Sequence, residues 1–148
     1  MTGIDPTPSP RRAFTASVML TGGDLPSLND PRPAAGLEAV VEALETGDAA
    51  AMLRAWHAAC LDALGSQRWE PMIDVGDAAW RIGQTTGFKI AFAAKARQAY
   101  HVALYRAHKQ GSVAGVRRVG EAFQALGDRD AVEQCTAVAA RLTERDHP

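Results

Sequence analysis

The sequence TGFKIAFAAKARQAYHVALYRAHKQ, residues 86–110, decides the fold. It predicts the longest helix of the chain, because apolar and alanine residues recur along it at three- and four-residue spacing. One side of this helix is expected to carry two aromatic residues followed by small ones, in the order Phe88, Phe92, Ala96, Ala99, Ala103 and Ala107. Because small residues let a second helix approach closely, this side is predicted to be a helix–helix contact.

A short pattern is repeated on the two sides of this helix. VGDAAWRIG covers residues 75–83, and VGEAFQALG covers residues 119–127. The two copies share valine, glycine, alanine and the final glycine at equal positions. An internal repeat in a helical context is typical of helical-repeat arrays, so we expect pairs of helices stacked side by side.

Composition indicates a single folded domain and excludes several classes of protein. The chain has 148 residues, of which 47% are hydrophobic and 22% charged, and its net charge of −1 provides no general attraction to nucleic acid or to an anionic membrane. No apolar run is long enough to span a bilayer. Cys60 and Cys135 both lie in apolar helical patterns and form no disulfide framework, which favours a cytoplasmic protein.

The chain is predicted to divide into an extended tail, residues 1–33, and a helical domain, residues 34–148. Six prolines in the tail forbid a continuous helix. The tail either lies over its own domain or docks on another subunit; in both cases its contacting residues are expected to be Arg11, Arg12, Phe14, Val18 and Leu20.

The helical domain is predicted to contain six helices in three antiparallel pairs. They are expected to begin near Ala34, Ala49, Pro71, Thr86, Val113 and Arg129, and the chain is expected to fray from Thr143. Glycines mark the predicted stops, at Gly47, Gly65, Gly83, Gly111 and Gly127. In the pairs Gly47–Asp48 and Gly127–Asp128, a helix stop is followed directly by a helix N-cap, which predicts tight hairpins. The second helix carries an apolar stripe of Met52, Leu53, Trp56, Cys60, Leu61 and Leu64.

The last helix pair, residues 113–142, resembles a tetratricopeptide repeat. Val119 and Gly120 match the mid-helix pair of that family, and Phe123 matches its aromatic position. Gly127 and Asp128 match its turn, and Ala139 one of its small contact positions. The sequence departs from the family at Val132 and Thr136, and the closing proline is missing.

The resemblance covers about two thirds of the chain, but only the last third is specific. The matched valines, Val75 and Val119, are 44 residues apart, whereas the usual repeat is about 34 residues. The resemblance implies an all-α, right-handed array of three helical hairpins. It also implies a role in protein–protein interaction, because such arrays offer extended binding surfaces. An irregular six-helix bundle is the alternative fold.

Charge is segregated along the chain. Eight lysines and arginines lie between Arg81 and Arg118 with no aspartate or glutamate among them, and the rest of the chain is therefore net negative by nine. These cations either face the carboxylates of neighbouring helices and solvent, or they line a groove for an acidic partner. The candidate partner-binding residues are Lys95, Arg97, His101, Tyr105, Arg106, His108 and Lys109.

No catalytic motif is present, so we predict that the protein is not an enzyme and needs no cofactor. His101 and His108 are two helical turns apart, about 10 Å, and cannot share one metal ion from this helix alone. The alternative is a small helical enzyme or ligand-binding bundle with a pocket near Trp56, His57, Cys60 and His101.

The leading hypothesis is a non-catalytic adaptor or an accessory subunit of a larger complex. It would recognise an acidic segment of a protein partner, such as a larger enzyme or assembly complex, through its basic helical face. With two tyrosines and an aromatic share of 6%, the chain is a poor match to a nucleic-acid-binding protein. Self-association through the end helices of the array is a further hypothesis.

Overall fold

The computed structural model describes residues 37–146, and every regular element in that range is a helix. The six helices are α1 (Leu37–Thr46), α2 (Ala49–Ser66), α3 (Glu70–Thr86), α4 (Lys89–Lys109), α5 (Val113–Leu126) and α6 (Arg129–Asp146). The predictions of an all-α domain and of α4 as the longest helix are confirmed. The predicted tail and its docking residues lie outside the described residues.

Local side-chain chemistry sets the ends of several helices. Gly47 and Gly127 have φ values of 75° and 85°, a region that glycine enters without steric cost. The residue after each then caps the next helix, with Asp48 Oδ1 accepting from the Ala51 amide and Asp128 Oδ1 from the Ala131 amide, both at 3.2 Å. The two predicted glycine–aspartate hairpins are therefore confirmed.

One predicted helix end and one predicted fray are wrong. The third helix does not stop at Gly83 but continues to Thr86, and Gly87, with a φ of 84°, ends it. Gly83 instead allows α3 and α4 to pack closely, because a Cβ there would lie 2.9 Å from the Cβ of Phe92. α2 ends at Ser66, as the prediction of an end at Gly65 and Ser66 required, whereas α6 continues past Thr143 to Asp146.

The helices pack on their neighbours in sequence and on some next-but-one neighbours. Each helix contacts the following one, and α1 also contacts α3, α3 contacts α5, and α4 contacts α6. The connections are only two or three residues long, so consecutive helices reverse direction. Thus α1, α3 and α5 form one continuous layer, and α2, α4 and α6 lie in the other.

The most intimate pairing is between α3 and α4. Ala96, Ala99, Ala103 and Ala107 are all buried, as the sequence predicted for the small side of α4. Opposite them, Gly76 leaves room for the ring of Tyr100, since a Cβ at Gly76 would overlap the ring carbons of that tyrosine. Phe88 is an exception to the prediction, because it is 64% exposed at the N-cap of α4.

Candidate functional site

The predicted partner-binding residues lie on α4, but they point to different neighbours. Lys95 reaches α2, where its Nζ lies 5.4 Å from the centroid of the Trp56 ring. Trp56 is itself buried and donates from Nε1 to the Val75 carbonyl at 2.8 Å. Lys95 therefore covers an aromatic ring that is held in place by α3.

Arg106 also reaches α2, where it caps the helix end. Its guanidinium donates to the carbonyl oxygens of Ala63 and Arg68 at 2.9 Å and of Leu64 at 2.8 Å. The last turn of α2 holds no basic residue of its own, so its free carbonyls are satisfied by a cation from α4. Burial lowers the pKa of Arg106.

Arg97 and His101 lie on the opposite side of α4, which faces α5 and α6. Arg97 Nε donates to Asp128 Oδ2 at 3.0 Å, and the centroid of the His101 ring is 4.8 Å from that of Phe123. The pKa of Asp128 is lowered first by the hydrogen bond from the Ala131 amide and then by Arg97. This arginine thus holds the cap residue of α6.

Tyr105, His108 and Lys109 lie on the outer surface of α4. Tyr105 is 65% exposed, and the Nζ of Lys109 lies 6.0 Å from the centroid of its ring. The seven candidate residues are consequently divided among three surroundings: the α2 side, the α5–α6 side and the solvent. They do not line one continuous groove.

The same division separates the residues of the alternative ligand pocket. His57 is exposed and packs edge-on against Trp56, and Cys60 is partly buried on α2. His101 is on the far side of α4, against Phe123. The structure therefore brings His57 and Cys60 together but leaves His101 apart from them.

The apolar stripe of α2 is only partly buried, and this was missed from the sequence. Met52 and Trp56 are buried, whereas Leu53, Leu64 and Leu61 are 38%, 44% and 71% exposed. A signal was available, because the six apolar residues of the stripe span about half of the helix circumference at roughly 3.6 residues per turn. A stripe that faces a core is narrower, so some of these residues had to face solvent.

Leu53 and Leu64 lie near the side of α2 that faces α4, and Leu61, about 100° from Cys60 around the helix, points to solvent beside them. The contacts of α4 with α2 show the orientation, because Lys95 lies against Trp56 and Arg106 donates to the carbonyl of Leu64. Burial raises the pKa of the Cys60 thiol, and the charge of Lys95 partly offsets that rise. Among the described residues, no Cα of α2 lies within 8 Å of a Cα of α4. We call this surface the α2–α4 face, defined by Leu53, Leu61 and Leu64 on α2 and by Lys95, Tyr105 and Lys109 on α4.

Two carboxylates of α3, Asp74 and Asp77, lie outside the α2–α4 face. Tyr100 donates from its hydroxyl to Asp77 Oδ1 at 2.6 Å, and Arg118 lies 3.4 Å from Asp77 Oδ2. Burial, followed by the hydrogen bond to Asp77, raises the pKa of Tyr100 far above its ordinary value. Burial and the charge of Asp77 raise the pKa of Asp74. Asp77 is thus occupied in joining α3, α4 and α5.

Within residues 37–146, no three histidine, cysteine, aspartate or glutamate side chains lie close enough together to hold a metal ion. None of the six described helices combines the length and the apolar character needed to cross a bilayer. Cys60 and Cys135 are both free thiols, and burial raises the pKa of Cys135 to about 11.

Comparison of the chain with protein-family models, with curated proteins and with solved structures gave no match.

Proposed function

We propose that this protein is a non-catalytic protein–protein interaction module, an adaptor or an accessory subunit of a larger complex. Its helices would form a tetratricopeptide-like array with a proline-rich tail, and its partner would bind the layer that contains α2 and α4. A cytoplasmic location fits the two free thiols, because cysteines stay reduced there.

The observation that carries the proposal is the distribution of exposed apolar side chains. Seven large apolar residues are exposed in the described part of the chain, and six of them belong to α2, to α4 or to the N-cap of α4. The seven are Val41, Leu53, Leu61, Leu64, Phe88, Ile90 and Tyr105. Large apolar side chains left exposed on two helices of the same layer are typical of a site that another macromolecule covers.

The packing pattern supports the array. Helices that contact their sequence neighbours and next-but-one neighbours are what stacked hairpins produce. The internal repeat adds to this, because Gly76 and Gly120 occupy equivalent places. Each gives room to the following helix: a Cβ at Gly76 would meet Tyr100, and one at Gly120 would lie 3.3 Å from the Cβ of Cys135.

Site-specific photo-crosslinking in the native cell tests the proposal. A photoreactive amino acid is placed at Gln98, which is exposed on α4, and in a matched control at Gln124, which is exposed on α5. We expect one discrete crosslinked protein from position 98 and none from position 124. No crosslink from either position, or the same products from both, would refute an interaction through the α2–α4 layer.

A further inference from the structure

We propose that the α2–α4 face binds an acidic amphipathic helix of the partner protein. This inference rests on the proposed function and adds to it the chemistry of the bound segment. Three features support it: a row of partly exposed leucines, a border of lysines without carboxylates, and a shape that suits a rod about three turns long.

The leucines supply the apolar contact. Leu64 lies 11 positions after Leu53 on α2, which is about 16 Å of helix at roughly 1.5 Å per residue, and Leu61 lies between them. A helix that places apolar residues at every third or fourth position contacts such a row along its whole length. Leu53 and Leu64 are more than half buried, so a partner has only to cover their outer part, whereas most of the Leu61 side chain is free to be covered.

The charges on the α2–α4 face favour a partner segment of negative charge. Lys95 and Lys109 lie on α4, and no aspartate or glutamate occurs between residues 78 and 120. On α2, the acidic side chain is Asp62, two residues from Leu64 and therefore about 160° away from it around the helix. Lysines around an apolar row favour glutamate and aspartate at the edges of the bound helix and disfavour lysine there.

The shape of the face follows from the two contacts that join α2 to α4. Lys95 lies against Trp56, and Arg106 binds the carbonyl of Leu64, so the two helices run in the same direction. Between these contacts the helices stay apart, with Trp56 beneath. At the lower end, Arg106 and Gln110 close the gap by bonding to carbonyls of the α2–α3 connection. The two helices thus run parallel, with their backbones apart and side chains of α4 bridging them at both ends.

A nucleic-acid strand fits this surface less well than an acidic helix. Arg106 is committed to three carbonyl oxygens and Arg97 to Asp128, so few cations on α4 are available to phosphates. The three leucines, in contrast, match apolar side chains rather than a sugar–phosphate backbone. The charge and the apolar area of the face therefore both favour a protein segment as its ligand.

Two synthetic peptides test the inference directly. The first is a 15-residue amphipathic helix with leucine at every third or fourth position and glutamate and alanine elsewhere; the second carries lysine in place of each glutamate. Binding of each labelled peptide to the full chain is measured by fluorescence anisotropy. We expect the acidic peptide to bind at least about tenfold more tightly than the basic one, and its affinity to fall as salt is raised.

Variants then locate the site. Leu61→Ala is expected to lower the affinity for the acidic peptide about tenfold, because it removes apolar area at the most exposed leucine. Lys109→Glu is expected to weaken it by a similar factor, and Lys95→Gln by a smaller one. Arg117→Glu, a charge reversal at an exposed position on α5, is the control and should leave the affinity unchanged. Thermal unfolding of each variant confirms that the fold is kept.

The outcomes separate this inference from the proposed function. Equal affinity for the two peptides, or an equal loss of affinity in Arg117→Glu and Lys109→Glu, overturns the acidic-helix inference. If a cellular partner is crosslinked from position 98 with a yield that Lys109→Glu and Leu61→Ala leave unchanged, that result supports the interaction module and refutes the acidic-helix inference. If the acidic peptide binds as expected but no partner is crosslinked, the preference of the face for an acidic helix is supported and the proposed function is refuted.

Discussion

Replacing Gly76 by alanine should destabilise the protein even though alanine is the better helix former. The ring of Tyr100 lies where the new Cβ would be, with its Cδ1 only 2.7 Å away. The ring has little freedom to move, because its hydroxyl is bonded to Asp77 at 2.6 Å and its edge packs on Phe123 with a centroid separation of 5.5 Å. Relief of the overlap must therefore separate α3 from α4 or break the bond to Asp77.

The magnitude follows from three opposing contributions. Overpacking a tight helix contact costs about 1–3 kcal/mol, and a ring held at both ends favours the upper part of that range. Loss of the tyrosine–aspartate hydrogen bond adds about 1 kcal/mol. The higher helix propensity of alanine opposes these losses and raises the free energy of unfolding by about 1 kcal/mol. We therefore expect Gly76→Ala to lower the free energy of unfolding by about 2–3 kcal/mol.

Urea denaturation followed by tryptophan fluorescence measures this loss, with Gly65→Ala as the matched control. Gly65 is also helical, but nothing lies within 4 Å of a Cβ there, so the substitution should stabilise by about 0.5 kcal/mol. In a Tyr100→Leu background the cost of Gly76→Ala should shrink, since the ring that opposes the Cβ is gone. A cost below about 0.5 kcal/mol for Gly76→Ala, or an unchanged cost in that background, would refute the reasoning.

Three further predictions concern charged side chains. Arg106→Ala should lower the free energy of unfolding by about 2 kcal/mol, since two carbonyls of α2 and one of the α2–α3 connection lose a charged donor. Lys109→Ala should cost less than about 0.5 kcal/mol in the same urea titration, and equal costs would contradict the capping role. Asp128, whose pKa is lowered in the fold, should contribute stability above the ordinary aspartate pKa of about 3.9 that is lost as pH falls through its lower folded value. Asp128→Asn should remove that dependence of the urea midpoint on pH, and an identical pH profile would count against it. Asp74, whose pKa is raised, should lower the stability of the fold as pH rises from the ordinary aspartate pKa of about 3.9 to its higher folded pKa, above which the loss is complete. Asp74→Asn should therefore unfold at higher urea at pH 7, and a lower midpoint would show that the carboxylate is needed.

The turns were predictable because their chemistry is local. At Asp48, Ser112 and Asp128 the capping oxygen accepts from an amide three residues ahead in the chain. Such contacts depend on the identity of one residue and on its neighbours, so the sequence carries them directly. The same reasoning failed at Gly83, where the glycine is required by Phe92 of the next helix rather than by a turn.

The candidate site was predicted only in part. The sequence located the cations on α4, but their partners are distant along the chain: Arg97 bonds to a residue 31 positions away, and Arg106 to residues 38 to 43 positions away. It also assigned one apolar stripe to α2 without indicating which leucines stay exposed. Which leucines stay exposed depends on where α4 lies relative to α2. The spacing of residues within α2 carries no information on that placement.

The sequence by itself determined that the described chain is helical, where most of its helices begin, and that α4 is the longest, because helix propensity, apolar spacing and capping act within a few residues. Only the tertiary structure decided which cations are committed to capping and which remain on the surface, and which leucines lie exposed beside α4. Those properties depend on the distances between helices that are far apart in the chain. Such distances are set by the sizes of the side chains at each helix contact, as where Gly76 meets Tyr100.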